Sequence, residues 1–124
     1  MNKKDPKLTA LQFNEYSNNQ DIKGFTSLMR EDFTFIDIPG KVEKGKELMT
    51  KNWISFFEDF RDYKNIFTRV ESRDNFVILI GYSTCSYKPL DGPAIWIATI
   101  EDDLVVKWQI FEDTEDNRKK LNII

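Results

Sequence analysis

The sequence predicts an α+β domain in which helices come first and a curved antiparallel sheet follows. Three observations predict it. Helical spacing of apolar residues is confined to the first 60 positions. From Tyr63 onward, four runs rich in strand formers are separated by the turn signatures RDN, KPLDGP and EDD. Between the two halves, Met49, Trp53, Phe56, Phe57 and Phe60 form one stripe at i, i+4, i+7, i+8 and i+11. That stripe marks a helix with a single side to bury. Helices segregated before antiparallel strands are the α+β pattern.

Each element follows from its residues. Residues 1–7 read as a loose basic start. Leu8, Leu11, Phe13 and Tyr16 place a helix from Leu8 to Asn19, and NNQD ends it. Asp21 is suited to cap a short second helix carrying Ile22, Phe25, Leu28 and Met29. RED reads as a turn. FTFIDI, Phe33 to Ile38, reads as a strand stopped by PG. A minor strand is placed around Val42, before Gly45. The third helix spans about Lys46 to Phe60. Strands follow at Tyr63 to Ser72, Phe76 to Tyr87, Ala94 to Ile100 and Leu104 to Glu112. The centre of the second, FVILI, is apolar on both faces and implies cover on both sides. The tail DTEDNRKKLNII is charged and then apolar. With no repeat, low-complexity run or linker, residues 1–124 read as one domain.

If the third helix roofs the sheet, the hollow face closes over a cavity. The convex face then carries Ile95, Ile97, Val105 and Phe111. Their exposure calls for a partner subunit, most simply a second copy in a two-fold homodimer.

Composition narrows the function classes. A net charge of −3 lacks the basic footprint of a nucleic-acid binder. No apolar run approaches the roughly 20 residues that span a bilayer, so no membrane role is expected. The N-terminus MNKKDPKLTALQF has no long apolar segment behind its basic residues, hence no signal-peptide pattern. The single cysteine, Cys85, excludes an intramolecular disulfide and fits a reducing compartment. A cytoplasmic protein is the expectation. The chain contains no histidine, which removes histidine-paired nucleophiles and histidine metal sites. Acid–base chemistry must rest on Asp, Glu, Tyr, Lys or Cys. No metal and no cofactor are expected.

Four segments carry a resemblance. LQFNEYSNNQDIKGFTSLMREDFTFID, KGKELMTKNWISFFEDFRDY, RDNFVILIGYSTCSY and LVVKWQIFED follow one another in the order and spacing of the nuclear-transport-factor-2-like superfamily. Within it they resemble the SnoaL-like polyketide cyclases and ketosteroid isomerase. The likeness covers about Leu8 to Asp113. It implies a cone-shaped, strongly curved antiparallel or mixed sheet packed on three N-terminal helices, a cystatin-like α+β roll. It also implies a general-base aspartate at the end of the first strand, where Asp37 stands. The isomerase oxyanion-hole tyrosine falls on Phe13, which has no hydroxyl, although Tyr16 is near in sequence. The second oxyanion-hole aspartate falls near Trp96. Two of three working groups are replaced, so steroid isomerisation is not expected. The acid of the SnoaL-like last strand matches Glu112, while the cyclase histidine has no counterpart.

The residues themselves leave two readings open at each position. Asp37 shares a strand face with Phe33 and Phe35; desolvated there, it is a base for a proton next to a carbonyl. Otherwise it is a turn residue bonding backbone amides before PG. Glu112 ends a face carrying Val106, Trp108 and Ile110. It is either a polar anchor in a pocket, with or without acid–base work, or the point where the strand meets solvent. Trp53, Trp96 and Trp108, with Phe13, Tyr16, Phe35, Phe57 and Ile110, make either a ligand-binding aromatic wall or a plain core. Cys85 reads as a small buried hydrophobe. The function predicted is binding of a small hydrophobic or carbonyl-containing ligand in an aromatic-lined pocket. Asp37 and Glu112 would make it a cofactor-independent isomerase, cyclase or hydratase. The alternative is a non-catalytic binding or scaffold module of the same fold.

Overall fold

A computed structural model describes residues 5–124; of the basic start, residues 1–4 lie outside the described residues. The elements run α1 (Pro6–Asn18), α2 (Ile22–Ser27), β1 (Met29–Ile36), β2 (Val42–Lys44), α3 (Lys46–Asp59), β3 (Lys64–Arg73), β4 (Phe76–Thr84), β5 (Gly92–Glu101), β6 (Leu104–Glu112) and α4 (Glu115–Lys120). One six-stranded sheet has the order β2-β1-β6-β5-β4-β3. β1 runs parallel to β6 and every other pair is antiparallel, so the sheet is mixed. No helix among the described residues is long and apolar enough to cross a membrane.

Local chemistry explains the helices. Pro6 begins α1, where a missing N–H costs nothing, and the Asp5 side chain accepts from the Lys7 N–H. Asp21 caps α2 through the Gly24 N–H. The buried face of α1 is Thr9, Ala10, Phe13, Asn14 and Ser17. Leu8 and Leu11, expected on it, are exposed. The polar residues win because β3 offers them partners: the Asn14 and Asn18 amides both donate to the Asn65 carbonyl oxygen. α3 buries Met49, Trp53 and Phe57, as its stripe requires.

Three register shifts bend the sheet. They fall between Met29 and Thr34 of β1, Phe67 and Arg69 of β3, and Thr99 and Ile100 of β5. At the second, β3 crowds β4 so closely that a Cβ on Gly81 would lie 1.9 Å from the Ile66 carbonyl oxygen. Only glycine fits there. The third shift overturns one expectation. Val105 does not lie on the convex face but joins the hollow-side core with Trp108. A bulge opposite two residues breaks the two-residue alternation that a straight strand would keep. RED, expected as a turn, lies within β1, where Arg30 pairs with Asp32 and Glu101.

The hollow face packs on the helices through Phe13, Phe25, Phe33, Trp53, Phe57, Val77, Leu79, Trp96, Ala98 and Trp108. Ile78, Ile80 and Ile95 face the other way. The tail covers part of that convex face, because Leu121 and Ile123 pack with Ile78, Ile80, Ile95 and Ile97. This intrachain cover was not anticipated, since the tail has no apolar periodicity. Its signals lay in capping and charge. Thr114 caps α4 through the Asn117 N–H, acids fill its first turn and bases its last. Arg118 is held by Asp113 at 2.6 Å. Arg73 donates to the Leu121 and Asn122 carbonyls and Arg69 to that of Ile124, while Glu71 accepts from both arginines.

These pairs give the tail a pH dependence. Arg118 holds the Asp113 carboxyl below its ordinary range, and Arg69 with Arg73 does the same for Glu71. A carboxylate with a depressed folded-state pKa stabilises fully above its unfolded value, about 4, and loses that contribution as pH falls through the lower value. The tail is therefore expected to stay docked at neutral pH and loosen below pH of about 4. Urea midpoints should fall between about pH 6 and pH 3, and less steeply in Asp113→Asn.

Candidate functional site

A cavity of about 580 Å³ opens where the β1–β2 turn, the start of β3, the β4–β5 connection and the end of β6 meet α3. Its walls are Phe35, Ile38, Trp53, Phe56, Tyr63, Leu90 and Ile110, with Pro39 and Pro89 from the two loops and Asp37 and Glu112. A smaller pocket of about 190 Å³ adjoins it, sharing Ile38, Tyr63, Pro89, Leu90 and Ile110 and adding Ser83. A larger depression, about 760 Å³, lies at the other end of the strands. Turn residues Asp74, Asn75 and Glu101 to Asp103 line it with Pro6 and Ile100, and no aromatic ring is in its wall. The aromatic cavity is the better candidate, because ligand sites join apolar walls to a few converging polar groups.

Asp37 follows β1 and is half-buried. Its Oδ1 accepts from the Lys41 N–H at 2.8 Å, and its own N–H donates to the Lys41 carbonyl at 3.2 Å. It thus closes the turn before β2, as the backbone-bonding reading expects, and also lines the cavity. Glu112 is exposed at the rim, and its carboxylate has no hydrogen-bond or ion-pair partner among the described residues. Asp113 points away to Arg118. Phe35 pairs in register with Trp108 across β1 and β6, so Asp37, two residues on, shares the Trp108 side of the sheet.

Five of the residues singled out lie elsewhere. Phe13, Phe57, Trp96 and Trp108 belong to the core beneath the cavity and do not line it. The reason is a chain of ring contacts: Trp96 on Phe67 at 5.0 Å, Phe13 on Trp108 at 5.0 Å, and Phe13 stacked on Phe25 at 4.3 Å. Those rings fill the depth of the cone. Tyr16 instead covers Gly24 of α2, its ring so close that a Cβ there would lie 2.5 Å away, and its hydroxyl accepts from Gln12. Phe35, Trp53, Ile110, Asp37 and Glu112 do meet at the cavity. Tyr82, with Ile78 and Ile80, is on the convex side and exposed.

The profile of the SnoaL-like domain family matches residues 10–108. This chain belongs to that family. Solved structures of similar fold include an NTF2-like protein of unknown function from Cytophaga hutchinsonii, 18% identical, with TM-score 0.74 over 98% of this chain and 99% of that one. An uncharacterized cystatin fold protein from Novosphingobium aromaticivorans is 18% identical, with TM-score 0.76 over 88% and 99% of the two chains. An LEH-like epoxide hydrolase from M. tuberculosis is 12% identical, with TM-score 0.78 over 95% and 90%. At these identities the likeness carries the fold. No curated protein matches the sequence.

In this SnoaL-like chain, sequence reasoning missed Ile38, Pro39, Phe56, Tyr63, Pro89 and Leu90 as cavity residues, and Tyr63 is the one with a polar group. It stands three residues after Phe60, where an aromatic beyond the helix stripe was the available signal. Phe56 meets its ring edge-on at 5.0 Å. Its hydroxyl lies 3.4 Å from Ser83 Oγ, which in turn donates to Asn65 Oδ1 at 2.7 Å. Ser83 has one proton and gives it to Asn65, so Tyr63 is the donor to Ser83. Burial pushes the Tyr63 hydroxyl above the ordinary tyrosine range. Cys85 donates to Asp62 and desolvation raises its thiol, so it is not a thiolate nucleophile. Among the described residues no three Cys, Asp or Glu side chains converge as a metal site would need. A Tyr63→Phe variant, which leaves Ser83 without its donor, is expected to lose about 1 kcal/mol of stability by urea unfolding.

Proposed function

We propose that the protein binds a small hydrophobic or carbonyl-containing molecule in the aromatic cavity, with Asp37 and Glu112 as its polar contacts. The observation that carries this reading is one cavity whose apolar wall also holds both carboxylates. Its volume lies within the range of ordinary ligand sites. A carboxylate at an apolar wall can take a proton from carbon beside a carbonyl, and a second can return it. This chemistry would make the protein a cofactor-independent isomerase, cyclase or hydratase. Trp53 lends its ring to the wall, while its indole N–H is buried and has no partner among the described residues. Phe13 and Trp96 supply nothing, being sealed in the core.

One observation favours the alternative, a non-catalytic binding module. Asp37 already spends Oδ1 on the Lys41 N–H, a structural duty that a free base would not need. Extraction of the freshly purified protein and mass spectrometry should yield a small molecule of mainly apolar character. With that compound or a relative as substrate, Asp37→Asn is expected to lower turnover by about 10²-fold or more, the usual contribution of a general base. Unchanged turnover would remove Asp37 from the reaction and leave the binding-module reading.

We also propose a two-fold homodimer through the part of the convex face that the tail leaves open. Ile66 and Tyr82 pair across β3 and β4 there, each 40% exposed, beside half-buried Phe111. Sedimentation should give twice the 14.7 kDa chain mass, and Tyr82→Glu should give the single chain.

A further inference from the structure

The cavity is one-sided in its chemistry. The charged residues in its wall are Asp37 and Glu112, both acids. No lysine or arginine lines it, and the chain has no histidine. Some acids elsewhere are ion-paired, Asp113 with Arg118, Glu71 with Arg69 and Arg73, Asp32 with Arg30; the two at the cavity are not. Asp37 has only the Lys41 backbone N–H on one oxygen, and the Glu112 carboxylate has no partner among the described residues. The Tyr63 proton is committed to Ser83 rather than to the cavity. Rings complete the wall. Phe35 meets Trp53 edge-on at 5.3 Å, Phe56 meets Trp53 at 5.2 Å, and Tyr63 meets Phe56 at 5.0 Å. Aromatic faces carry negative potential and attract cations. An anion entering here would lose hydration and face two carboxylates. A neutral carbonyl compound would find no cationic donor in the wall. A cation would find two acids and several ring faces.

Resting on the reading of this cavity as the binding site, we infer that its ligand is a hydrophobic amine: an apolar body among Phe35, Trp53, Phe56 and Ile110, with an ammonium group between Asp37 and Glu112. Charge at the rim then selects among bodies of equal shape.

The test uses three probes with one ring system: naphthyl-ethylamine, naphthyl-ethanol and naphthyl-acetate. Calorimetry gives the affinities. The Trp53 indole resonance, assigned with Trp53→Phe, reports whether a probe enters the cavity. The amine is expected to bind about tenfold or more tightly than the alcohol, and the acetate more weakly than either. All bound probes should shift the Trp53 signal. Glu112→Gln should cut the amine's advantage several-fold, and added salt should weaken the amine selectively. Alcohol or acetate binding as tightly as amine, with the Trp53 signal moving, would overturn the amine inference and keep the cavity as a binding site. Amine binding that leaves the Trp53 signal still would be surface pairing and would also overturn it. If no probe binds, both the inference and the reading of the cavity fall together.

Discussion

The structure depends on how one bent sheet fills its own hollow. A cone closed by a helix must be packed to the density of a protein interior or hold something else. Here aromatic rings fill the deep part: Phe13, Phe25, Phe33, Trp96 and Trp108 are buried to within a few per cent of completely. Phe13 is the pivot, in contact with Phe25, Phe33 and Trp108 together. Filling the apex leaves space only near the mouth, between α3 and the ends of β1 and β6. The groups that line the cavity are accordingly those of the mouth, among them the strand-end acids and the α3 residues Trp53 and Phe56. Trp96, fully buried against Phe67, takes up space in the apex that a smaller side chain would leave open.

The same sheet has a second apolar face, and the chain solves that problem differently. Ile78, Ile80 and Ile95 are covered by Leu121 and Ile123 from the tail. Two apolar side chains do little alone, so the tail is fixed by direction-specific bonds. Arg73 and Arg69 hold its carbonyls, and Arg118 reaches back to Asp113. Neighbouring acids thereby acquire opposite duties. Asp113 fastens the tail behind the sheet, while Glu112 stands unpaired at the cavity rim in front. Alternation along one strand separates a carboxylate that fastens the tail from one that lines the cavity.

Much of this was legible because it is periodic. The α3 stripe, the four-strand meander and the placement of Asp37 and Glu112 at strand ends all follow from counting by 3.6 or by 2. The illegible parts break those periods. The bulge near Val105 moved that residue to the hollow side. Asn14 is buried on α1 where leucines were expected, and its partner, the Asn65 carbonyl, lies 51 residues away. The tail helix is specified by caps and charge order rather than by an apolar stripe.

The sequence by itself determined the α+β class, the helix that roofs the sheet, the absence of histidine chemistry and the two acids at strand ends. Those are properties of composition and of local repeat, which each segment carries alone. Only the tertiary structure decided which aromatics are wall and which are filling. Trp53 and Trp108 are indistinguishable by periodicity. What separates them is depth: Trp108 sits under Phe13 and Phe67, whereas Trp53 faces the open space between Phe35 and Phe56. Depth in a closed cone is set by how all the rings pack at once, and no single segment encodes it.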